Sequence, residues 1–273
     1  MIWRFGILAL AVAGAAVWIW VMIQAPTRPI LRLGSTTSTK DSGLLDYLIP
    51  LYEAQADVEV VVIAKGTGAA IRDALAGQVD ALLVHNQTRE EELVAGGQAL
   101  ARFPIMSNDF LIVGPKSQAP YDDLKSLLAD FASADAGLFL TRGDESGTHA
   151  AELRLWAAAG YDPEAFSNWY AQTGTGMGQT LITANLNGAA TLVDSATWAR
   201  HEDIDLLHIL YAGGEDSLAN PYGYLPMNPE VIPGVEADLA LDFGTWLSGK
   251  DGQRAIATYV VGGMQAFRPA TRP

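Results

Sequence analysis

The sequence predicts an α/β fold organised as two lobes, and three observations carry that expectation. Apolar, β-branched runs alternate with helical patterns along most of the chain. The 273 residues exceed what a single core of about 100–200 residues usually encloses. Four strand-to-helix junctions, at 34–43, 66–68, 142–148 and 174–178, are built from glycine and hydroxyl residues. With 49% hydrophobic and 18% charged residues, the chain can bury real cores.

Residues 1–29 read as a targeting or anchoring segment plus linker. Arg4 supplies positive charge, and residues 5–23 are 19 uncharged, mostly apolar positions. As a helix they would be roughly 28 Å long, close to a bilayer's hydrocarbon thickness, so the segment can span. Trp18 and Trp20 suit an interfacial belt. The nearest small-x-small cleavage site, Ile23-Gln24-Ala25, precedes Pro26, which peptidases disfavour. An uncleaved anchor is therefore expected ahead of a cleaved signal, and either one puts the remainder on the periplasmic or extracytoplasmic face. Residues 25–29 form a proline-containing linker.

A first strand is expected at 30–33. The helix after it carries Leu44, Leu45, Leu48 and Tyr52 on one face as far as Gln55, with Pro50 loosening its last turn. Residues 58–64 are almost wholly β-branched, as for a strand covered on both faces. Gly66-Thr67-Gly68 opens a helix over 69–76 that ends at Gly77, and 81–84 is a third strand. Thr88 and Glu91 have capping-box spacing for the next helix, and Glu90-Glu91-Glu92 read as its solvated first turn. A strand at 110–115 marks the crossing into a second lobe. There the alternation restarts, with a strand at 138–140, the Arg142 loop, and a helix placing Leu153, Trp156 and Ala157 on one face before Gly160. The 174–178 loop opens a helix over 179–186, and 190–193 and 206–211 are further strands. Residues 220–226 carry the chain back, and helices over 235–247 and 252–259 finish it. Lobe I is thus expected at 30–112 and 223–273, and lobe II at 113–222.

The junctions point to a small oxyanion. A strand ending in glycine and hydroxyl residues before a helix leaves backbone N–H groups without internal partners, and their dipoles face whatever sits in front. One helix cap needs one hydroxyl, yet Ser35, Thr36, Thr37, Ser38, Thr39 and Ser42 place six within eight positions. Asp41 reads as a local helix-start anion. Arg142 is the only arginine inside such a junction, and its planar fork of donors suits two oxygens of one anion, with Asp144 able to orient it. Ser146 and Thr148 can cap the following helix, donate to the ligand, or both. Thr67 and Gly68, like the 174–178 loop, are weak signals alone, since glycine there can serve only a tight turn. The candidate anion-binding set is Ser35, Thr36, Thr37, Ser38, Thr67, Gly68, Arg142, Ser146 and Thr148.

Several chemistries are excluded. The chain has no cysteine, so disulfides and thiolate metal sites are ruled out. A formal charge of −14 argues against nucleic acid as a partner. It leaves an anionic ligand possible, because charges beyond about 8–10 Å are screened while N–H groups act at contact. No segment supplies the phosphate-binding pattern G-x-x-x-x-G-K-[ST]. Ser146 directly precedes a glycine and so departs from a nucleophile elbow, and Ser146 with His149 near a helix start favours capping over a catalytic dyad. His85, His149, His201 and His208 have no metal-site spacing.

From Leu31 onward the chain resembles the tungstate-binding proteins of bacterial ABC transporters, relatives of the molybdate- and phosphate-binding proteins. The correspondence runs through Ser35-Thr36-Thr37-Ser38, Gly66-Thr67-Gly68, the segments 80–85 and 108–115, Arg142-Gly143-Asp144 with Ser146-Gly147-Thr148-His149, Gly176-Met177-Gly178 and Asn220-Pro221-Tyr222-Gly223. It departs at Asp194-Ser195-Ala196-Thr197-Trp198, where the family carries Asp-Arg-Gly-Thr-Tyr, and at Asn86-Gln87, where it carries Ala-Pro. The resemblance implies a two-lobed periplasmic-binding-protein fold of type II character, with tungstate or molybdate held in the cleft between lobes and an ABC permease as partner. It implies no catalysis, no cofactor and no metal centre, tungsten entering only as its oxyanion. The alternatives are a membrane-tethered oxyanion sensor, or molybdate or phosphate in place of tungstate.

Overall fold

The computed structural model describes residues 28–134, 136–201, 203–213 and 216–270, and the anchoring helix expected at 5–23 lies outside them. Among the described residues no helix is long and apolar enough to cross a membrane. β1 (Ile30–Thr36) leads through α1 (Thr37–Asp41) into α2 (Leu44–Glu53), where Leu44, Leu45, Leu48 and Tyr52 are all buried. β2 (Glu59–Lys65), α3 (Thr67–Leu75), β3 (Ala81–Val84), α4 (Gln87–Ala95) and β4 (Phe103–Pro115) follow. Next come α5 (Leu124–Ala132), β5 (Phe139–Thr141), α6 (Gly147–Ala158), β6 (Tyr170–Gln172), α7 (Met177–Asn187), β7 (Thr191–Asp194), α8 (Ser195–Arg200) and β8 (Leu207–Tyr211). β9 (Ala219–Pro226), α9 (Ala237–Ser248), α10 (Lys250–Thr258) and the short strands β10 (Val260–Val261), β11 (Met264–Gln265) and β12 (Arg268–Pro269) complete the described residues.

The main sheet is mixed and runs β12-β4-β9-β3-β1-β2. β1 lies parallel to β2 and β3, while β9 is antiparallel to both β3 and β4. β4 serves two neighbourhoods: its first half pairs with β9, and its second half pairs with β7 and β8. Period-two alternation makes this workable. Phe110 and Ile112 enter one core with Phe131, Phe139 and Trp156, whereas Leu111 and Val113 enter another with Met177 and Leu181. On the other side of the molecule Leu31, Leu33 and Leu83 pack with Tyr224 and Phe243, and Leu82 and Val84 face Ile71 and Leu225.

Four local expectations need correction. β2 is the last strand of the described sheet, and it is not covered on both faces: Val60 is buried while Val61, pointing to the opposite face, is 37% exposed. α4 is capped by Asn86, whose side chain accepts from Arg89 N while Glu90 Oε1 accepts from Asn86 N at 2.7 Å, so the helix starts before the Thr88 and Glu91 pair. Glu90 is not solvated; it is buried at 2.7 Å from Arg102, and burial pushes its carboxyl up to about 7. On α6 the buried face is Ala151, Glu152, Leu155 and Trp156, with Leu153 at 39% exposure. Glu152 displaces an apolar residue there because Tyr170 Oη donates to it at 2.6 Å.

Candidate functional site

Four helices begin beside one another. The N-cap residues are Thr36 for α1, Gly66 for α3, Ser146 for α6 and Gly176 for α7. These starts and the residues around them interlock: Gly147 N donates to Thr67 Oγ1 at 2.9 Å, Gly68 N donates to the Glu145 carbonyl at 3.3 Å, and Gly178 N donates to Asp41 Oδ2 at 3.3 Å. Two glycines permit the approach. A Cβ on Gly147 would lie 2.7 Å from the His85 ring, and one on Gly176 would lie 3.2 Å from Thr37 Oγ1. Asp41, expected to serve its own helix start, instead sits at the end of α1 and satisfies an orphan donor of α7.

Arg142 leaves the end of β5 and is 1% exposed, the only fully buried arginine or lysine among the described residues. Its Nη2 donates to Thr37 Oγ1 at 3.0 Å and to Asp144 Oδ2 at 2.5 Å, and its Nη1 reaches Thr148 Oγ1 at 3.5 Å. Among the described residues its Nε has no acceptor. Burying a guanidinium with a donor unpaired is costly, and Asp144 offsets only part of the charge. The positive ends of α3, α6 and α7 add to the same excess. What this arrangement can do chemically is donate hydrogen bonds to negative oxygens; Asp41 and Asp144 already present such oxygens to it.

The sequence-derived residues therefore come together. Thr36, Ser38, Thr67, Arg142, Ser146 and Thr148 are buried, Thr37 is half-buried, and Gly68 lies in the first turn of α3. Ser35 differs from its neighbours, since its hydroxyl donates to the Leu83 carbonyl at 2.9 Å and its hydrogen faces the sheet. Ser146 accepts from His149 N at 3.1 Å, which is capping geometry rather than a catalytic dyad. A cavity of about 630 Å³ opens beside the cluster and is lined by Thr37, Lys40, Asp41, Gly176 and Arg200 among others. Thr37 belongs to both, and the other cluster residues named above lie buried behind it.

Sequence reasoning missed a buried polar chain behind the hydroxyls. Ser38 Oγ lies 3.1 Å from His85 Nε2, His85 Nδ1 lies 2.9 Å from Asn220 Oδ1, Asn220 Nδ2 donates to Asn108 Oδ1 at 2.7 Å, and Asn108 Nδ2 donates to Asp194 Oδ1 at 3.1 Å. Burial, reinforced by the charges of Arg142 and Arg154 and opposed by the Asn220 hydrogen bond, pushes the His85 imidazole down to about 4. It is neutral at physiological pH. His85 and Asp194 each end an apolar strand run, Ala81–Val84 and residues 191–193, which is the signal that could have found them. At the departure noted in 194–198, Asp194 caps α8 through Thr197 and Ala196 packs in a core, and the nearby positive charge acting on Asp194 is that of Arg142.

Residues 24–250 match the PBP superfamily domain. The chain is 38% identical over 234 residues to the tungstate-binding protein TupA of Peptoclostridium acidaminophilum, covering 83% of this chain and 80% of that one. It is similar to the solved tungstate ABC transporter structure from Geobacter sulfurreducens, with TM-score 0.77, 40% identity, and 86% of this chain and 100% of that one covered. The solved tungstate-binding protein TupA of Desulfovibrio alaskensis gives TM-score 0.74 at 35% identity, over 89% of this chain and all of that one.

Proposed function

The chain belongs to the PBP superfamily and, within it, to the family of tungstate-binding proteins, and from that premise we propose that it captures tungstate as the extracytoplasmic solute-binding component of an ABC transporter. The observation that carries this reading is Arg142, buried with an unpaired Nε–H where the helix starts and hydroxyls meet. Tungstate and molybdate are fully deprotonated near neutral pH, so their oxygens only accept, and a donor-rich pocket suits them. Hydrogen phosphate brings a proton that wants an acceptor, and sulfate is smaller.

Capture needs no covalent chemistry. Residues 30–112 with 223–273 would form one lobe and 113–222 the other, closing on the anion so that a permease recognises the closed form. Thr37 and Arg142 come from opposite sides of that boundary and already meet at 3.0 Å, which supports such a closure. Residues 5–23 would tether the protein to the outer face of the cytoplasmic membrane. Calorimetric titration of the full chain with tungstate, molybdate, sulfate and phosphate tests the reading. Heat with tungstate or molybdate well below the concentration needed for sulfate is expected; silence with all four removes the proposal.

A further inference from the structure

The hydrogen-bond direction along the buried chain behind Ser38 is settled by its far end. The Asp194 carboxylate only accepts, and it takes Asn108 Nδ2, Thr197 N and Thr197 Oγ1. Asn108 must then turn Oδ1 toward Asn220, which donates to it, and Asn220 turns Oδ1 toward His85. His85 Nδ1 therefore carries the hydrogen. In a neutral imidazole the other nitrogen, Nε2, accepts, so Ser38 Oγ–H points at it across 3.1 Å. With its hydrogen committed there, Ser38 can only accept from Thr36 at 3.0 Å, and Thr36 in turn from Thr39 at 2.7 Å. All three hydroxyl hydrogens run toward the histidine. A run of alcohols so arranged offers a proton-free oxyanion lone pairs where it needs donors.

We propose that His85 is a positioning residue that couples oxyanion capture to the uptake of one proton, becoming imidazolium so that the Ser38 and Thr36 hydrogens are released to the guest. The proton comes from solvent and settles on the Nε2 lone pair. Nε2–H then donates to Ser38 Oγ, Nδ1–H keeps its bond to Asn220, and the hydroxyls reverse. The added positive charge falls next to an incoming dianion, which favours it in return. The groups that bias His85 from each side are Arg142 and Asp144 on the α6 loop, Arg154 on α6, Glu91 on α4 in the pocket that His85 shares with Arg154, and Tyr222 of β9 stacked at 4.8 Å. Asp194 acts from the far end of the amide chain. This inference rests on the oxyanion reading and adds the proton to it.

The test is titration of the full chain with tungstate in buffers of different ionisation heat. Apparent enthalpy plotted against buffer heat should give about one proton taken up per anion at pH 7–8, and affinity should fall about tenfold per pH unit over that range. Tungstate binding with no proton uptake and flat pH dependence overturns the inference while leaving the oxyanion reading intact; no binding of tungstate, molybdate, sulfate or phosphate overturns both. In His85→Gln the proton uptake should vanish, and its persistence would place the proton elsewhere and sink the proposal. Should that variant not fold, ¹⁵N ring shifts in the native protein decide the matter. A neutral Nδ1–H tautomer alone and an imidazolium with tungstate are expected, and a neutral ring in both states refutes it.

Discussion

Arg142 concentrates the chemistry of the site in one side chain. Replacing it with alanine is expected to weaken tungstate binding by more than about 2 kcal/mol, roughly thirtyfold, because a charge-assisted donor leaves a desolvated cluster. Calorimetry on that variant checks it, and unchanged affinity would make Arg142 a structural residue only. Glu152 gives a second test, independent of the ligand. It is 2% exposed, and burial pushes its carboxyl up to about 7 despite donors from Tyr170 and Trp156. A carboxyl raised on folding contributes stability that is present below its unfolded value near 4.5 and lost as pH rises through about 7. Denaturant midpoints between pH 4.5 and 8 should therefore reveal a loss on the order of 3 kcal/mol that Glu152→Gln does not show. Arg142 was legible in the sequence because it stands alone in a glycine and hydroxyl loop. The His85 chain was not, since each direction in it depends on the next partner, as with Asn108 and Asp194, 86 positions apart.

Caps are the elements that build the site, and two of them separate folding from binding. Ser146 starts α6 inside the cluster, and Asn86 starts α4 beside it. Alanine at either position should cost about 1 kcal/mol of stability, visible as a thermal midpoint roughly 2–4 °C lower. Only Ser146→Ala should also lower oxyanion affinity, because its loop carries Arg142 and the Gly147 N–H. Equal affinities in the two variants would detach α6 from the site. Capping residues are readable from sequence as local chemistry, and Ser146 was read that way. The α4 start was misplaced because Asn86 competes with Thr88 for the same role, and the buried pairing of Glu90 with Arg102 decides between them. The buried face of α6 was misread for a related reason: Tyr170 and Trp156 satisfy Glu152, and no spacing rule anticipates a buried carboxylate.

At the scale of the whole molecule, the contacts that join the helix starts of the site are polar: Thr37 with Arg142, Asp41 with Gly178, Thr67 with Gly147, Gly68 with the Glu145 carbonyl, and Arg72 with the Glu145 carboxylate. A guest replacing some of them would bind the folded state alone, so tungstate at a thousand times its dissociation constant should add about 4 kcal/mol and raise the thermal midpoint by roughly 10 °C. Scanning calorimetry with and without tungstate measures this, and Arg142→Ala should abolish most of the shift. A midpoint that does not move in the native chain would contradict capture by the closed form. By itself the sequence determined the strand and helix alternation, the four glycine and hydroxyl junctions and the single arginine inside one of them, because periodicity, capping and turn chemistry act within a few residues. Only the tertiary structure decided that β2 lies at a sheet edge, that Asp41 serves a helix far along the chain, and that a buried chain of polar groups links Ser38 through His85 to Asp194. Those outcomes depend on which distant groups a fold brings within 3 Å of one another, and hydrogen-bond direction propagates from a carboxylate that no local pattern connects to the cleft.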